Sequence, residues 1–377
     1  MPAHPPVHPP VHPPVHPPAD APRVLIIRRR YLGDIVLLGS VLRNLRLHWP
    51  DAQLTVLTEP AYAAILALNP DVTTASAFPR SALAWPPFLA ALRRARFTHV
   101  LDFDNTDKTA LLTRFTGALQ RVCFNRELIT FRYRSFYTHS ANVTNAFYDS
   151  HHITDTYLEL LRPLGVPVVT REVRLVPLAA DLATIAPLLG PTPQTLPPRP
   201  QTASPRPRRI LLHPGSRSTH RIWPAARFAA VCDRLQDELN AQVFVVAGPA
   251  EQALVQEIRV HAKTHLVALD RALTVGQFAA LLAQFDLFLC HDSGPMHVAA
   301  AVGTPVVALF SSQNATIWRP LGERHTVLQT SLPCACFPAA QLPGPCTPGD
   351  SYQSYCVRQL TTDHVYAATR AALLRRP

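Results

Sequence analysis

Apolar positions follow two different periods along this chain. Residues 24–27 in the strand predicted at 24–28 are apolar at every position, the pattern of a buried strand, and the strands predicted at 54–58 and 98–103 are apolar at half of their positions or more. Between them, apolar residues recur at three- and four-residue spacing. Ile35, Leu38, Leu42 and Leu45 share one face of a helix predicted over 34–49. Similar patterns cover 61–68, a stretch from 107, and 155–164. The alternation stops in a Pro-, Thr- and Gln-rich segment and then resumes. Strands are predicted at 209–213, 242–247, 265–269, 286–291 and 306–310, and helices at 225–239, 251–261, 274–284 and 294–302. Strands that alternate with helices build parallel sheets covered on both sides. The pattern therefore predicts an α/β chain with two doubly wound domains, at 23–190 and 209–360, joined by a linker at 191–208. A last helix, at 361–377, has no strand after it and is expected to pack back on the N-domain.

The composition agrees with two cores: 377 residues, 47% hydrophobic and 16% charged. No apolar run approaches the roughly 20 residues that span a bilayer. Residues 1–22 form a Pro/His-rich tail in which His-Pro-Pro-Val repeats, so no apolar signal segment is visible and a cytoplasmic location is expected. That repeat reads as extended or unstructured, with weak metal binding by its histidines as the alternative. The net charge of +11 points to an anionic partner. Lysine occurs only at 108 and 263, the arginines are scattered, and no nucleic-acid motif is present. A lipid surface or a phosphorylated substrate fits better than nucleic acid.

In such sheets, ligands bind beyond the carboxyl ends of strands, and every chemical motif here falls at one. The first strand, 24–28, runs into Arg29-Arg30-Tyr31-Leu32-Gly33-Asp34. Gly33 permits a tight turn or a close approach. Asp34 opens a helix, either as an ordinary N-terminal cap or as a general base. Beyond 209–213 comes Pro214-Gly215-Ser216-Arg217, a small loop whose backbone N–H groups can approach phosphate. Arg221, ahead of Trp223-Pro224, is either a surface charge or a diphosphate partner. Glu251 either complements a helix dipole or accepts from ribose hydroxyls. Asp292-Ser293-Gly294 closes a strand and opens a helix of small residues, an anion site suited to a leaving diphosphate. His297, one turn in, is more ordinarily structural. Ser293 and His297 do not make a hydrolase pair, because no Gly-x-Ser-x-Gly elbow is present.

Together these segments resemble the ADP-heptose:lipopolysaccharide heptosyltransferases. The shared stretches are 24–28 with Leu32-Gly33-Asp34, Trp49-Pro50-Asp51-Ala52-Gln53-Leu54, His213-Pro214-Gly215-Ser216 with Arg221-Ile222-Trp223-Pro224, and Asp292-Ser293-Gly294-Pro295-Met296-His297 with 303–310. The resemblance runs from about residue 23 to 370 and leaves out the tail. It implies a GT-B fold, two Rossmann-like domains facing a central cleft, and an inverting, metal-independent glycosyltransferase with no cofactor. By position it makes Asp34 the base. It puts Gly215, Ser216, Arg221, Glu251, Asp292, Ser293, Gly294 and His297 around a nucleotide sugar, with ADP the expected nucleotide. Gly33 falls on the acceptor side. Arg126, Arg132 and Arg134, interleaved with aromatic residues, are the basic residues expected to meet a lipid-linked acceptor and an anionic membrane; a loop packed on the N-domain is the alternative. The chain departs from the family at Ser40, where a proline is usual, and at Ser311-Ser312-Gln313-Asn314, where a Gly-Pro-Thr-like turn is usual. Cys334, Cys336, Cys346 and Cys356 are spaced poorly for zinc, and free thiols, a metal site and disulfides all remain open. A sugar-nucleotide epimerase and a non-catalytic nucleotide- or lipid-binding homologue are the rival functions.

Overall fold

The computed structural model describes residues 21–127, 133–189, 207–217, 221–311, 313–330 and 357–375. The expectations for the Pro/His tail, most of the linker, Arg132 and Cys334, Cys336, Cys346 and Cys356 lie outside the described residues.

The first half places β1 (Arg23–Ile27), β2 (Gln53–Thr58), β3 (Thr74–Ala77), β4 (His99–Asp102), β5 (Gln120–Arg126) and β6 (His139–Val143) in one parallel sheet of order β3-β2-β1-β4-β5-β6. Its helices are α1 (Leu32–Leu37), α2 (Gly39–His48), α3 (Trp85–Arg94), α4 (Asp107–Thr116), α5 (Asn145–Ser150), α6 (Ile153–Leu158) and α7 (Ala179–Ile185). The second half places β7 (Arg209–His213), β8 (Gln242–Val246), β9 (Val267–Leu269), β10 (Leu287–His291), β11 (Val306–Leu309) and β12 (Thr326–Leu328) in a second parallel sheet, β12-β11-β10-β7-β8-β9. Around it lie α8 (Ala225–Leu239), α9 (Gln252–His261), α10 (Val275–Leu282), α11 (Gly294–Ala301), α12 (Ala315–Trp318) and α13 (Thr362–Leu374). Counted from its own first strand, each sheet has the order 3-2-1-4-5-6. The strand order therefore reverses between β1 and β4 in one sheet and between β7 and β10 in the other.

The apolar runs form strands because both of their faces find cover. Val24 and Ile26 pack with α1, α2 and α6 on the inner side, and Leu25 and Ile27 with Leu92 and Leu112 of α3 and α4 on the outer side. The inner core is continuous between the halves and takes in Phe288 and Cys290 of β10 with Met296 and Val298 of α11.

Three local expectations are corrected. The helix predicted over 34–49 is two helices that meet at Leu38. Gly39 there lies against Val173, whose Cγ1 would be 3.0 Å from an added Cβ. The 61–68 and 159–164 stretches are 3-10 turns, the second containing Pro163, whose ring and missing N–H end a regular helix. The terminal helix α13 does not return to the first half. Val365, Tyr366, Ala372 and Leu373 bury against α8 and the second sheet. The segment that does cross is α7, which packs on α10.

Candidate active site

Asp34 sits in the third position of α1, directly beyond β1, and is 7% exposed. Its Oδ2 accepts from the Tyr31 backbone N–H at 2.9 Å, the usual way an acid caps a first turn. Its Oδ1 accepts from Tyr157 Oη at 2.5 Å and from the Arg28 guanidinium, with which it forms an ion pair. Arg28 also donates to Phe103 O at 3.0 Å and to Asp104 Oδ1 at 3.2 Å. Burial works against the Arg28 charge, but Tyr157, Asp34 and Asp104 outweigh it and the guanidinium is held protonated more firmly than usual. Burial pushes Asp104 up to about 6, against the pull of Arg28. Tyr157, fully enclosed, is raised far above an ordinary phenol and remains a donor to Asp34. Arg28, Asp104 and Tyr157 were not recognised as site residues from sequence. Arg28 reads as the last residue of a strand, and the other two reach it only through the fold, from β4 and α6.

Across the cleft, Asp292 follows the last residue of β10 and α11 begins at Gly294 after Ser293, whose Oγ donates to His291 O at 3.3 Å. The tips of α1 and α11 touch: a Cβ on Gly294 would be 3.0 Å from Leu32 Cβ, and one on Gly33 would be 2.7 Å from His297 Cδ2. Glycine is needed at both positions for this approach. Gly33, expected on the acceptor side, thus packs on His297, expected on the donor side. His297 is driven down to about 3, first by burial and then by His152, while Asp34 pulls the other way. It is neutral, with an unpartnered buried Nδ1. His152 caps α6, accepting from Thr154 N at 3.1 Å, and bridges the halves through Nε2 and Arg319 O at 2.8 Å.

The loop beyond β7 completes the second wall. Gly215 lies on Glu251: an added Cβ would be 1.8 Å from its Oε1. Glu251 accepts from Gly248 N at 2.9 Å and stands 3.5 Å from His213 Nε2. Ser216 is half-buried in that loop, and the exposed Arg217 stacks on the Tyr31 ring at 4.2 Å, spanning the cleft. Arg221 is 3.9 Å from Asp292 Oδ2, and with the Gln313 amide oxygen turned towards it donates at 3.2 and 2.8 Å. The loop that departs from the family pattern therefore touches the predicted diphosphate partner. Burial raises Asp292 to about 7, with Arg221 opposing. His291, which accepts from Trp223 N at 3.2 Å, is pushed down to about 3 by burial and by His213.

Buried polar atoms are ordinarily paired, and an orphan needs a reason. Here both Asp292 carboxylate oxygens, Arg221 Nε and the Nδ1 atoms of His213, His291 and His297 lack a partner. Asp292 lies near Arg221 and His291 near His213, while His297 lies near Asp34 and His152. Arg126 stands apart. Its guanidinium donates to Asn145 Oδ1 at 2.8 Å, pairs with Asp149 at 3.5 Å and lies 3.9 Å over the Tyr148 ring, so it clamps α5 instead of facing outward. Arg134 is exposed on a 3-10 turn.

Two Rossmann-like sheets with their reversal points facing one another define the GT-B class of glycosyltransferase. The chain superposes on a glycosyl transferase family 9 structure from Veillonella parvula with TM-score 0.76, at 20% identity, covering 95% of this chain and 98% of that one. It superposes on Escherichia coli ADP-heptose lps heptosyltransferase II with TM-score 0.71, at 20% identity, covering 93% and 98%. It is 25% identical over 303 residues to lipopolysaccharide heptosyltransferase 3 of Escherichia coli, covering 77% of this chain and 84% of that protein. The model of glycosyltransferase family 9 (heptosyltransferase) matches residues 87–341. The protein belongs to this family and is a glycosyltransferase.

Proposed function

We propose that the protein transfers heptose from ADP-heptose to a lipid-linked lipopolysaccharide core sugar, at the cytoplasmic face of a membrane, by one inverting displacement. The observation that carries this reading is the pairing of a gripped carboxylate with an unsatisfied polar wall across one cleft. Asp34 takes the proton of the acceptor hydroxyl as that oxygen bonds to the anomeric carbon. The bond from that carbon to the diphosphate breaks. Arg221 and the N–H groups opening α11 at Ser293 and Gly294 receive the charge that the diphosphate gains. Asp292, His297 and His213 face the donor sugar and phosphates, and Glu251 the ribose. Contact between the tips of α1 and α11 keeps water, a competing acceptor, from the reacting carbon. No cofactor is required by this scheme. The named relatives act on ADP-heptose and lipopolysaccharide, which supports the choice of substrates.

The test is a thermal-shift panel with ADP, UDP, GDP and CDP, followed by transfer from ADP-heptose to a heptose-deficient core acceptor. A nucleotide at ~100 times its dissociation constant stabilises the fold by about 2.7 kcal/mol. A shift with ADP alone, and core extension by one heptose, is the expected result. Preference for another nucleotide overturns the donor. Binding without transfer to any core acceptor overturns the reaction.

A further inference from the structure

The outer face of the first half carries apolar side chains that are exposed among the described residues. Leu111 is 55% exposed, Phe115 43% and Leu119 81%. Leu111 and Phe115 share one face of α4, and Leu119 follows past the left-handed Gly117 that ends the helix. Leu83, just ahead of α3, is 89% exposed. Beside these residues, Arg93, Arg94 and Arg96 line an open hollow with Phe97, Thr116 and Gly117. Arg93 is fixed there by its bond to Phe115 O at 2.9 Å. Arg94, Arg96 and Arg114 have no acidic partner among the described residues. Across residues 80–121 the exposed charges are Arg80, Arg93, Arg94, Arg96 and Arg114 against one acid, Asp107. Exposed Leu and Phe beside a field of guanidinium groups match the two layers of an anionic bilayer surface, acyl boundary and phosphate headgroups.

We infer that the α3–α4 face docks on an anionic phospholipid surface, with Leu111, Phe115 and Leu119 entering the headgroup layer and the Arg93–Arg96 hollow taking phosphates. Placement favours this face over the one expected from Arg126, whose guanidinium is spent on α5. Helix α4 starts three residues beyond Asp104, which is bonded into the Arg28–Asp34 network, and the hollow lies at its other end, where α3 and α4 both finish. The inference rests on the proposed function, whose acceptor is lipid-linked, and extends it by naming a surface that holds the protein at the membrane.

The experiment is co-sedimentation of the full chain with sucrose-loaded vesicles of phosphatidylcholine alone, or of phosphatidylcholine mixed with phosphatidylglycerol. Binding to the mixed vesicles only, falling with salt, is expected. Each basic residue at such a surface is worth roughly fivefold in partition, so R94E/R96E/R114E should lower it by about 100-fold or more. The pair L83S/L119S, at the two most exposed positions, leaves the core untouched and should lower partition about tenfold. Equal binding to both vesicle types, no binding, or unchanged binding by both variants overturns the inference. So does self-association of the parent that the same substitutions abolish without any vesicle binding, which would make the face a contact between two copies. The ADP thermal shift, run on the same proteins, separates the two claims. Vesicle binding without an ADP shift refutes the donor reading alone, and an ADP shift without vesicle binding refutes this inference alone.

Discussion

Removing the Asp34 carboxylate should do two separable things, and comparing two substitutions divides them. Asp34→Ala deletes the acceptor for Arg28, Tyr157 and the Tyr31 N–H at once. Breaking a fully buried ion pair costs about 3–5 kcal/mol. This pair is not fully dry, with side chains 18% and 10% exposed, and Arg28 keeps Asp104 at 3.2 Å and Phe103 O at 3.0 Å. A cost of about 2 kcal/mol for the stranded guanidinium, plus about 1 kcal/mol for the Tyr157 hydroxyl, is the reasonable sum. For a unit of this size that lowers Tm by roughly 6–12 °C. Asp34→Asn retains one oxygen for Tyr157 and Arg28 but loses the charge and sets an amide NH2, which cannot accept, against the Tyr31 N–H, so it should cost less than Asp34→Ala but not nothing. As bases both variants are equally disabled, and transfer should fall by about 10²–10⁴-fold in each. Calorimetry, the ADP-induced shift and a transfer assay on the three proteins give the answer. If Asp34→Ala melts with the parent, the Arg28–Tyr157 grip contributes no stability and its geometry has been over-read. If Asp34→Asn turns over within tenfold of the parent, Asp34 is a helix cap and the base lies elsewhere.

Three further outcomes are expected. In Gly215→Ala the new methyl would occupy the Glu251 carboxylate position, 1.8 Å from Oε1, so the ADP-induced thermal shift should vanish while far-UV circular dichroism is unchanged; a parental shift would detach this loop from the nucleotide. In Gly33→Ala the 2.7 Å approach to His297 Cδ2 forces the tips of α1 and α11 apart, and because an ångström of misplacement can cost about 10²-fold, kcat should drop with ADP affinity kept; parental kcat would show that the tips need not touch. Asp292, raised to about 7 from 3.8, holds its proton in the fold at pH values where the unfolded chain has lost it, so its contribution to stability is complete below pH 4 and lost as pH rises through 7. Asp292→Asn should therefore gain in Tm relative to the parent between pH 4 and 8, and a pH-independent difference would contradict the burial argument.

The two-sheet architecture was legible because parallel strands are apolar on both faces and their connecting helices on one. Strands such as 209–213 and the helix at 225–239 appear with the bounds the pattern gives. What escaped were strands with few buried positions: β3 reads Thr-Ala-Ser-Ala and is half-exposed, the interior strand β5 and the border strand β6 have two buried positions each, and the border strand β12 has one, so none carries a long apolar run. In the site, Asp34 and 292–294 were visible because they follow strands directly, where the chain order already puts chemistry at the sheet's end. Arg28, Asp104, Tyr157 and His152 were not. Tyr157 meets Asp34, and His152 lies near His297, from more than a hundred residues away, Asp104 joins the network only through Arg28 and Arg29 from about 75 residues away, and Arg28 is a side chain that the strand pattern assigns to structure. Arg126 could be read either way, because an arginine among aromatics suits a surface contact and an internal clamp alike, and its contacts run to Asn145, Asp149 and Tyr148.

Two consecutive residues near the crossing segment constrain how the cleft can open. Leu175 N–H bonds to Ala301 O of the second half at 2.9 Å, and Val176 N–H bonds to Leu68 O of the first at 2.7 Å. The peptide between them is therefore stitched to both bodies at once. A rotation that keeps both stitches has to pass its axis close to that peptide, while the tips of α1 and α11 swing apart on the far side. Donor entry and product exit are then movements about a pinned corner, with a travel set by the distance from that corner, and not a free separation of two lobes on a loose tether.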